Sequence, residues 1–246
     1  MTQAEIAAAD PAKRAAATAA VAMVADGMAL GLGSGSTVAF ALTALAERIT
    51  SEGLRVRGVP TSERTAARAH ELGIPLTDLG ATPGLDLAID GADEVEESRL
   101  FLIKGLGGAL LREKIVATAA RRFIVIVDES KIVTELGARA ALPVEVARFA
   151  HAATARRLER LLGQAALRRG SGGAPFVTDN GNFIYDVASR APIADPATLE
   201  CRLAAIPGVL ANGLFTGGVA RVFVGSQSGT VRTLEPASSP PPRNPA

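Results

Sequence analysis

Met28-Ala29-Leu30-Gly31-Leu32-Gly33-Ser34-Gly35-Ser36-Thr37 decides the fold. A short apolar run, Met28–Leu32, breaks into glycines and hydroxyl residues. Val38, Leu42, Leu45 and Ile49 then recur at helical spacing. That is a strand, a Gly-rich turn and a helix. Upstream, residues 11–25 read as a helix with Asp10 as cap and Pro11 in the first turn, followed by a turn at Asp26-Gly27. Downstream the alternation repeats. Leu54–Val59 predicts a strand, and Ser62–Leu72 a helix stopped by Gly73. Ile74–Leu79 and Leu85–Ile89 predict strands, and Gly108–Arg121 a helix. Phe123–Val127 is a continuous apolar strand of the kind buried on both faces of a parallel sheet. The expected fold class is α/β, with an open doubly wound (Rossmann-like) sheet domain.

The pattern changes near residue 140. Leu142–Val146 predicts a strand and His151–Gln164 a helix, with a Gly- and Arg-rich loop over Arg168–Ala174. Phe176–Thr178 and Phe183–Val187 predict a hairpin around Asp179-Asn180-Gly181-Asn182. Pro196–Ala205 predicts a helix and Val209–Phe215 a strand. This β-α-β-β-α-β order is that of a ferredoxin-like α+β unit. A smaller inserted domain is therefore expected at 138–207, its last strand leading back into a first domain made of 1–137 and 208–235. Val219–Val224 and Thr230–Leu234 are expected to rejoin that first domain. Residues 236–246 hold five prolines and two serines and are expected to be a disordered tail. No internal repeat is seen.

Composition excludes several classes of function. A formal net charge of +1 carries no basic footprint for nucleic acid, and aromatics at 4% with no Trp give no base-stacking platform. The arginines at 156–160 and 168–169 read as a solvated face. No run reaches the roughly 18 apolar residues of a membrane span. The N-terminal segment, with Glu5, Asp10, Lys13 and Arg14, lacks the form of a secretion signal. The single cysteine, Cys201, reads as a small buried thiol and fits a reducing, cytoplasmic setting. His70 and His151 have no ligand spacing, so no metal site is expected.

Four segments carry chemistry. In Gly31–Thr37, backbone N–H groups at a helix N-terminus and the hydroxyls of Ser34, Ser36 and Thr37 suit a phosphate. The third glycine of a dinucleotide fingerprint is missing, as is an acid after the next strand, and no lysine makes it a Walker loop. Taken by itself the segment is equally a structural turn. Asp90-Gly91-Ala92-Asp93-Glu94 follows an apolar strand, where open α/β sheets bind ligands. Its paired carboxylates suit a metal or hydroxyl groups, while Glu94–Glu97 also read as a solvated acidic loop. In Lys104-Gly105-Leu106-Gly107-Gly108, a glycine-rich loop can approach a ligand closely, and Glu113 follows on a helix. A base above a sugar carbon and a cation near the developing enediolate would meet the needs of proton transfer between C1 and C2. Spacing alone leaves this level with a surface helix carrying Arg112, Glu113 and Lys114 in solvent. Lys131, after Phe123–Val127, is delivered to the same sheet edge as a phosphate or hydroxyl partner, or as an ordinary loop lysine.

In order, Gly33-Ser34-Gly35-Ser36-Thr37, Asp90–Glu94, Lys104–Lys114, Asp128–Lys131, Leu142–Val146, Thr178–Asn182 and Ile206–Val209 resemble the ribose-5-phosphate isomerases of the A type over about residues 11–235. The resemblance implies interconversion of ribose 5-phosphate and ribulose 5-phosphate in the non-oxidative pentose phosphate pathway, with no metal or organic cofactor. It implies Glu113 as the general base, Lys104 as the cation that steadies the enediolate, and Asp90 and Asp93 as the carboxylates that hold sugar hydroxyls, Asp90 also assisting ring opening. Ser34, Gly35, Ser36, Thr37, Asp90, Gly91, Ala92, Asp93, Lys104, Gly105, Leu106, Gly107 and Lys131 are the implied substrate-binding residues. A homodimer or homotetramer is implied, with a small sugar phosphate as the one other partner. Many members carry glycine where this chain has Leu106. The rival reading is a non-catalytic sugar-phosphate sensor. That reading expects a DNA-binding helix-turn-helix ahead of the Gly-rich loop, where the residues before Gly31 leave little room for one, and loss of the base, whereas Glu113 is present.

Overall fold

A computed structural model describes residues 10–236 of the chain. The tail expected over 236–246 falls, beyond Pro236, outside the described residues. The chain divides into two compact units. The first holds residues 10–91, 115–131 and 218–236, and the second holds 92–114 and 132–217.

The first unit is built on α1 (Pro11–Val21), β1 (Ala29–Leu32), α2 (Ser36–Glu52), β2 (Arg57–Pro60), α3 (Glu63–Glu71) and β3 (Leu87–Asp90). Asp10 caps α1 by accepting from the Lys13 N–H at 3.1 Å, and Ser62 caps α3 by accepting from Thr65. The chain then passes through the second unit with β4 (Glu94–Glu96), β5 (Phe101–Ile103) and the start of α4 (Leu110–Ala119), and β6 (Phe123–Asp128) follows in the first. The chain returns from the second unit to the first within α4.

The second unit continues with β7 (Ile132–Val133), β8 (Leu142–Val146), α5 (His151–Leu161), β9 (Gly163–Leu167), β10 (Phe183–Ser189), α6 (Pro196–Ala204), β11 (Val209–Asn212) and β12 (Leu214–Phe215). The strands β13 (Val219–Gly225) and β14 (Val231–Leu234) close the first unit.

The first unit's sheet runs β14-β13-β6-β3-β1-β2. All neighbours are parallel except the β13–β14 edge pair. Side chains alternate across β1 as the pleat requires. Leu30 and Leu32 join the core formed by α1 and α2, while Gly31 faces Val116 of α4. Helices therefore cover both faces, as the doubly wound reading expects. The strand order reverses between β1 and β3. In such sheets the carboxyl ends of the strands flanking that switch are where ligands bind.

In the second unit the antiparallel sheet β11-β8-β10-β9 has the ferredoxin-like arrangement of fourth, first, third and second strands. A further sheet, β12-β5-β4-β7, was not expected from the sequence. Its Ile103, Val133 and Leu214 share one core with Leu142, Val144 and Val146 of β8. That shared core explains why residues 92–114, 132–137 and 208–217 group with the second unit, where the sequence placed them in the first domain.

Other elements also differ. Ile74–Leu79 makes one isolated bridge, Leu76 to Gly58, because Pro75 has no N–H to extend a ladder. The helix expected through Gln164 stops at Leu161, and β9 follows. The strand expected over Val209–Phe215 splits at Gly213, half joining each sheet. Cys201 is exposed on α6, not buried. Leu203 enters the core from α6 and Leu199 packs against it, and Cys201, two residues from each, lies outside that stripe. Among the described residues no helix is long and apolar enough to cross a membrane, and no three His, Cys, Asp or Glu side chains group to hold a metal.

Candidate active site

The residues singled out in the sequence form two built clusters, one in each unit. In the first unit, β1 and β3 deliver their carboxyl ends side by side at the switch point. The Gly33 N–H donates to Ile89 O at 2.9 Å. Asp90, 3% exposed, accepts on Oδ1 from the N–H groups of Ser34 at 3.0 Å and Gly91 at 2.7 Å. A Cβ on Gly33 would lie 2.2 Å from Asp90 Cγ, so this approach requires glycine. Asp90 therefore has one carboxylate oxygen fixed by backbone.

The Ser34 hydroxyl is turned inward. It donates to Ser62 Oγ at 2.8 Å and shares a hydrogen bond with Thr61 Oγ1 at 2.8 Å. Ser62 Oγ donates to Thr65 Oγ1 at 2.9 Å, which in turn donates to Gly33 O at 2.8 Å. Thr61, Ser62 and Thr65 are buried and were not singled out from the sequence. Thr61-Ser62, at the start of a helix directly after an apolar strand, was the available signal. Gly35, with φ 106°, turns the chain into α2, whose N-terminus has no side-chain cap. Ser36 is exposed and Thr37 half-buried there, at the positive end of the helix dipole. Lys131 ends a short 3₁₀ turn, Glu129–Lys131, after β6, at the same edge of the sheet as Asp90.

In the second unit, Lys104 follows β5 and Glu113 lies on the first turns of α4. Lys104 Nζ is 3.3 Å from Glu113 Oε2, with the two side chains 3% and 5% exposed. Glu113 is thus a buried carboxylate, not the solvated glutamate that spacing left open. Its neighbours are not free in solvent either. Arg112 donates to Asn180 Oδ1 at 2.9 Å and Asp179 O at 3.2 Å. Lys114 donates to Leu214 O at 2.6 Å and pairs with Glu200. Burial holds the Lys114 ammonium below the ordinary lysine range, with Glu200 pulling the other way. Both ammoniums stand over the Phe215 ring, Lys114 at 4.8 Å and Lys104 at 5.6 Å from its centroid.

The loop between Lys104 and α4 is held by Asp93, whose Oδ2 accepts the Leu106 N–H at 2.9 Å. Leu106 itself projects outward, 46% exposed. Gly213, missed in the sequence, donates to Pro143 O and accepts from the Lys104 N–H at 2.9 Å. A Cβ there would meet Lys104 O at 2.4 Å. Glu94 and Glu96 are buried, not solvated. Glu94 accepts from the backbone N–H groups of Gly137, Arg139 and Ala140 at 2.6–2.7 Å, and Glu96 accepts from Arg99 Nε at 2.8 Å.

A buried carboxylate–ammonium pair can accept a proton on one side and balance a developing oxyanion on the other. The fold and these clusters together describe an α/β enzyme equipped for proton transfer. The model of the ribose 5-phosphate isomerase A (phosphoriboisomerase A) family matches residues 57–229. The chain belongs to that family. It is 53% identical to ribose-5-phosphate isomerase A of Gloeobacter violaceus over 228 residues, covering 93% of this chain and 97% of that one. To the Thermomicrobium roseum protein of the same name it is 54% identical, covering 91% and 93%. The structure of ribose 5-phosphate isomerase A from Methanocaldococcus jannaschii is similar with a TM-score of 0.86 at 46% identity, over 91% of this chain and 97% of that one. A D-ribose-5-phosphate isomerase solved in complex with phospho-erythronic acid gives a TM-score of 0.87 at 40% identity, over 96% and 100%.

Proposed function

We propose that Glu113 moves the proton in an aldose–ketose isomerisation, the interconversion of D-ribose 5-phosphate and D-ribulose 5-phosphate for which the family is named. In the forward direction the Glu113 carboxylate takes the proton from C2 of the open-chain aldehyde. The C–H electron pair becomes the C1–C2 double bond, and the carbonyl electrons move to O1, giving an enediolate. Lys104 balances that charge. Glu113 then returns a proton to C1, and the O2 hydroxyl proton passes to O1 through a carboxylate holding the sugar hydroxyls. Asp90 and Asp93 are those carboxylates, and Asp90 also assists ring opening. The loop Ser34–Thr37, with Gly91, Ala92, Gly105, Leu106, Gly107 and Lys131, binds the rest of the substrate. No step calls on a metal or organic cofactor.

The observation that carries this reading is the buried Lys104–Glu113 pair. A buried ion pair adds little net stability, so the burial of this one is better explained by chemistry than by folding. The Ser34 hydroxyl is spent on Thr61 and Ser62, so its share in binding is to shape the loop. Assembly as a homodimer or homotetramer and a cytoplasmic location complete the proposal, supported by the sequence resemblance and by the single thiol.

Metal-stripped protein should convert ribose 5-phosphate to ribulose 5-phosphate at the rate of untreated protein, followed by ketose formation. Binding of the sugar phosphate without conversion would instead favour a sensor.

A further inference from the structure

The loop that follows Lys104 is gripped by a side chain that the reaction scheme leaves out. Arg168 lies just after β9, in a stretch whose arginines read as solvated from the sequence. Its guanidinium is instead largely buried. Nε donates to Asp186 Oδ2 at 2.9 Å and Nη2 to Asp186 Oδ1. With the fork fixed in this way, Nη1 reaches two consecutive carbonyls, Gly105 O and Leu106 O, each at 3.0 Å. Gly105 takes φ 105° to allow this, a conformation that favours glycine. The same strip closes on the loop again at Phe176. Its ring fills the space where a Gly108 Cβ would stand, 2.5 Å from Cζ, and its N–H donates to Arg168 O at 2.9 Å.

The two carbonyls belong to peptides with consequences further on. Gly105 C=O shares a peptide with the Leu106 N–H, which donates to Asp93 Oδ2 at 2.9 Å. A cation on the carbonyl end of a peptide strengthens its N–H as a donor. The links therefore run from Asp186 to Arg168, to the Gly105–Leu106 peptide, and on to Asp93. Leu106 C=O likewise shares a peptide with the Gly107 N–H.

We infer that Arg168, oriented by Asp186, is a positioning residue for the isomerisation: it sets the Gly105–Gly107 peptides and, through the Leu106 amide, the Asp93 carboxylate. The inference rests on the assignment of Asp93 and this loop to the substrate. Lysine could not take the role, because one ammonium cannot hold a carboxylate bidentately and reach two carbonyls in a fixed plane.

The test is Arg168→Ala, with Arg168→Lys and Asp186→Asn beside it. In Arg168→Ala, amide hydrogen exchange over residues 105–108 should quicken, and kcat/KM for ribose 5-phosphate should fall about 10- to 100-fold, the scale of a misplaced reacting group. Millimolar guanidinium should restore part of the loss, a response that simple destabilisation would not give. Arg168→Lys should stay impaired. If Arg168→Ala fails to fold, Asp186→Asn should show the same faster exchange and a smaller loss of rate. Unchanged exchange overturns the brace itself. Faster exchange with kcat/KM within twofold of wild type overturns the link to the reaction, and points to the assignment of Asp93 and the loop as the faulty step. Absence of guanidinium rescue in a folded, slowed Arg168→Ala also overturns the inference.

Discussion

Gly33→Ala probes the contact that fixes Asp90. The new Cβ would stand 2.2 Å from both Cγ and Oδ1 of Asp90 and 2.6 Å from its Cα, where ordinary contact begins at 3.4 Å. The Asp90 side chain cannot simply swing away, because Oδ1 is held by Ser34 and Gly91. The ends of β1 and β3 must part by about 1.2 Å, which stretches the Gly33–Ile89 hydrogen bond beyond useful length. Overpacking of this kind costs about 1–3 kcal/mol, and the lost hydrogen bond adds about 1 kcal/mol. At roughly 2–4 °C per kcal/mol for a chain of this size, Tm should fall by about 5–15 °C. Since Asp90 shifts with the strand end, kcat/KM should fall as well. The assay is calorimetric melting with steady-state kinetics, and Gly217→Ala is the control because a Cβ there meets nothing within 4 Å. A Gly33→Ala protein with wild-type Tm and wild-type kcat/KM would show that the close approach of β1 to Asp90 constrains neither the fold nor the site.

Lys104→Met should lower kcat by about 10²–10³, the scale of a lost oxyanion-stabilising donor. It should also cost about 3–5 kcal/mol of stability by leaving Glu113 buried without its ammonium. The double variant with Glu113→Gln should recover most of the stability and none of the rate, as denaturant midpoints and turnover would show. Glu145→Ala, at a fully buried carboxylate whose Oε1 accepts from Thr178, Asn180 and Asn182, should lose roughly 3 kcal/mol or more. Glu145→Gln, of the same size, should lose about 1 kcal/mol or less in the same denaturant series. Hydrogen bonds from Arg55 hold Asp26 down to about 2 from 3.8. Its contribution is full above pH 3.8 and is lost as pH falls through about 2, so the Tm gap between wild type and Asp26→Asn should close across that window.

The elements with strong periodicity or clear punctuation were legible from the sequence. The strand Leu142–Val146 has the predicted bounds, and the helix expected over Ser62–Leu72 forms as α3, with Ser62 standing just outside it as the cap. What escaped was set by tertiary partners. Gln164-Ala165-Ala166-Leu167 reads as the end of a helix, and it becomes β9 because Phe183–Ser189 offers it an antiparallel edge. Glu94 reads as solvent-facing because its partners are backbone donors at 137–140, more than forty residues away, which no local pattern announces. For the candidate site, residue types and order singled out Asp90, Asp93, Lys104 and Glu113, but spacing could not tell a buried Glu113 from an exposed one. That difference comes from Lys104, nine residues away, meeting it across the loop that Arg168, Asp93 and Gly213 hold in place. Arg168 itself sat in a run of basic residues with no local sign of its partners.

Whether Glu113 moves the proton is decided by the rate at which folded Glu113→Gln converts ribose 5-phosphate. Glutamine keeps the shape of the side chain and removes the base. The expected result is a loss of about 10²–10⁴ in kcat with the fold preserved by circular dichroism, and no deuterium delivered to C1 of ribulose 5-phosphate in D2O. Turnover and deuterium incorporation at the wild-type rate would contradict it.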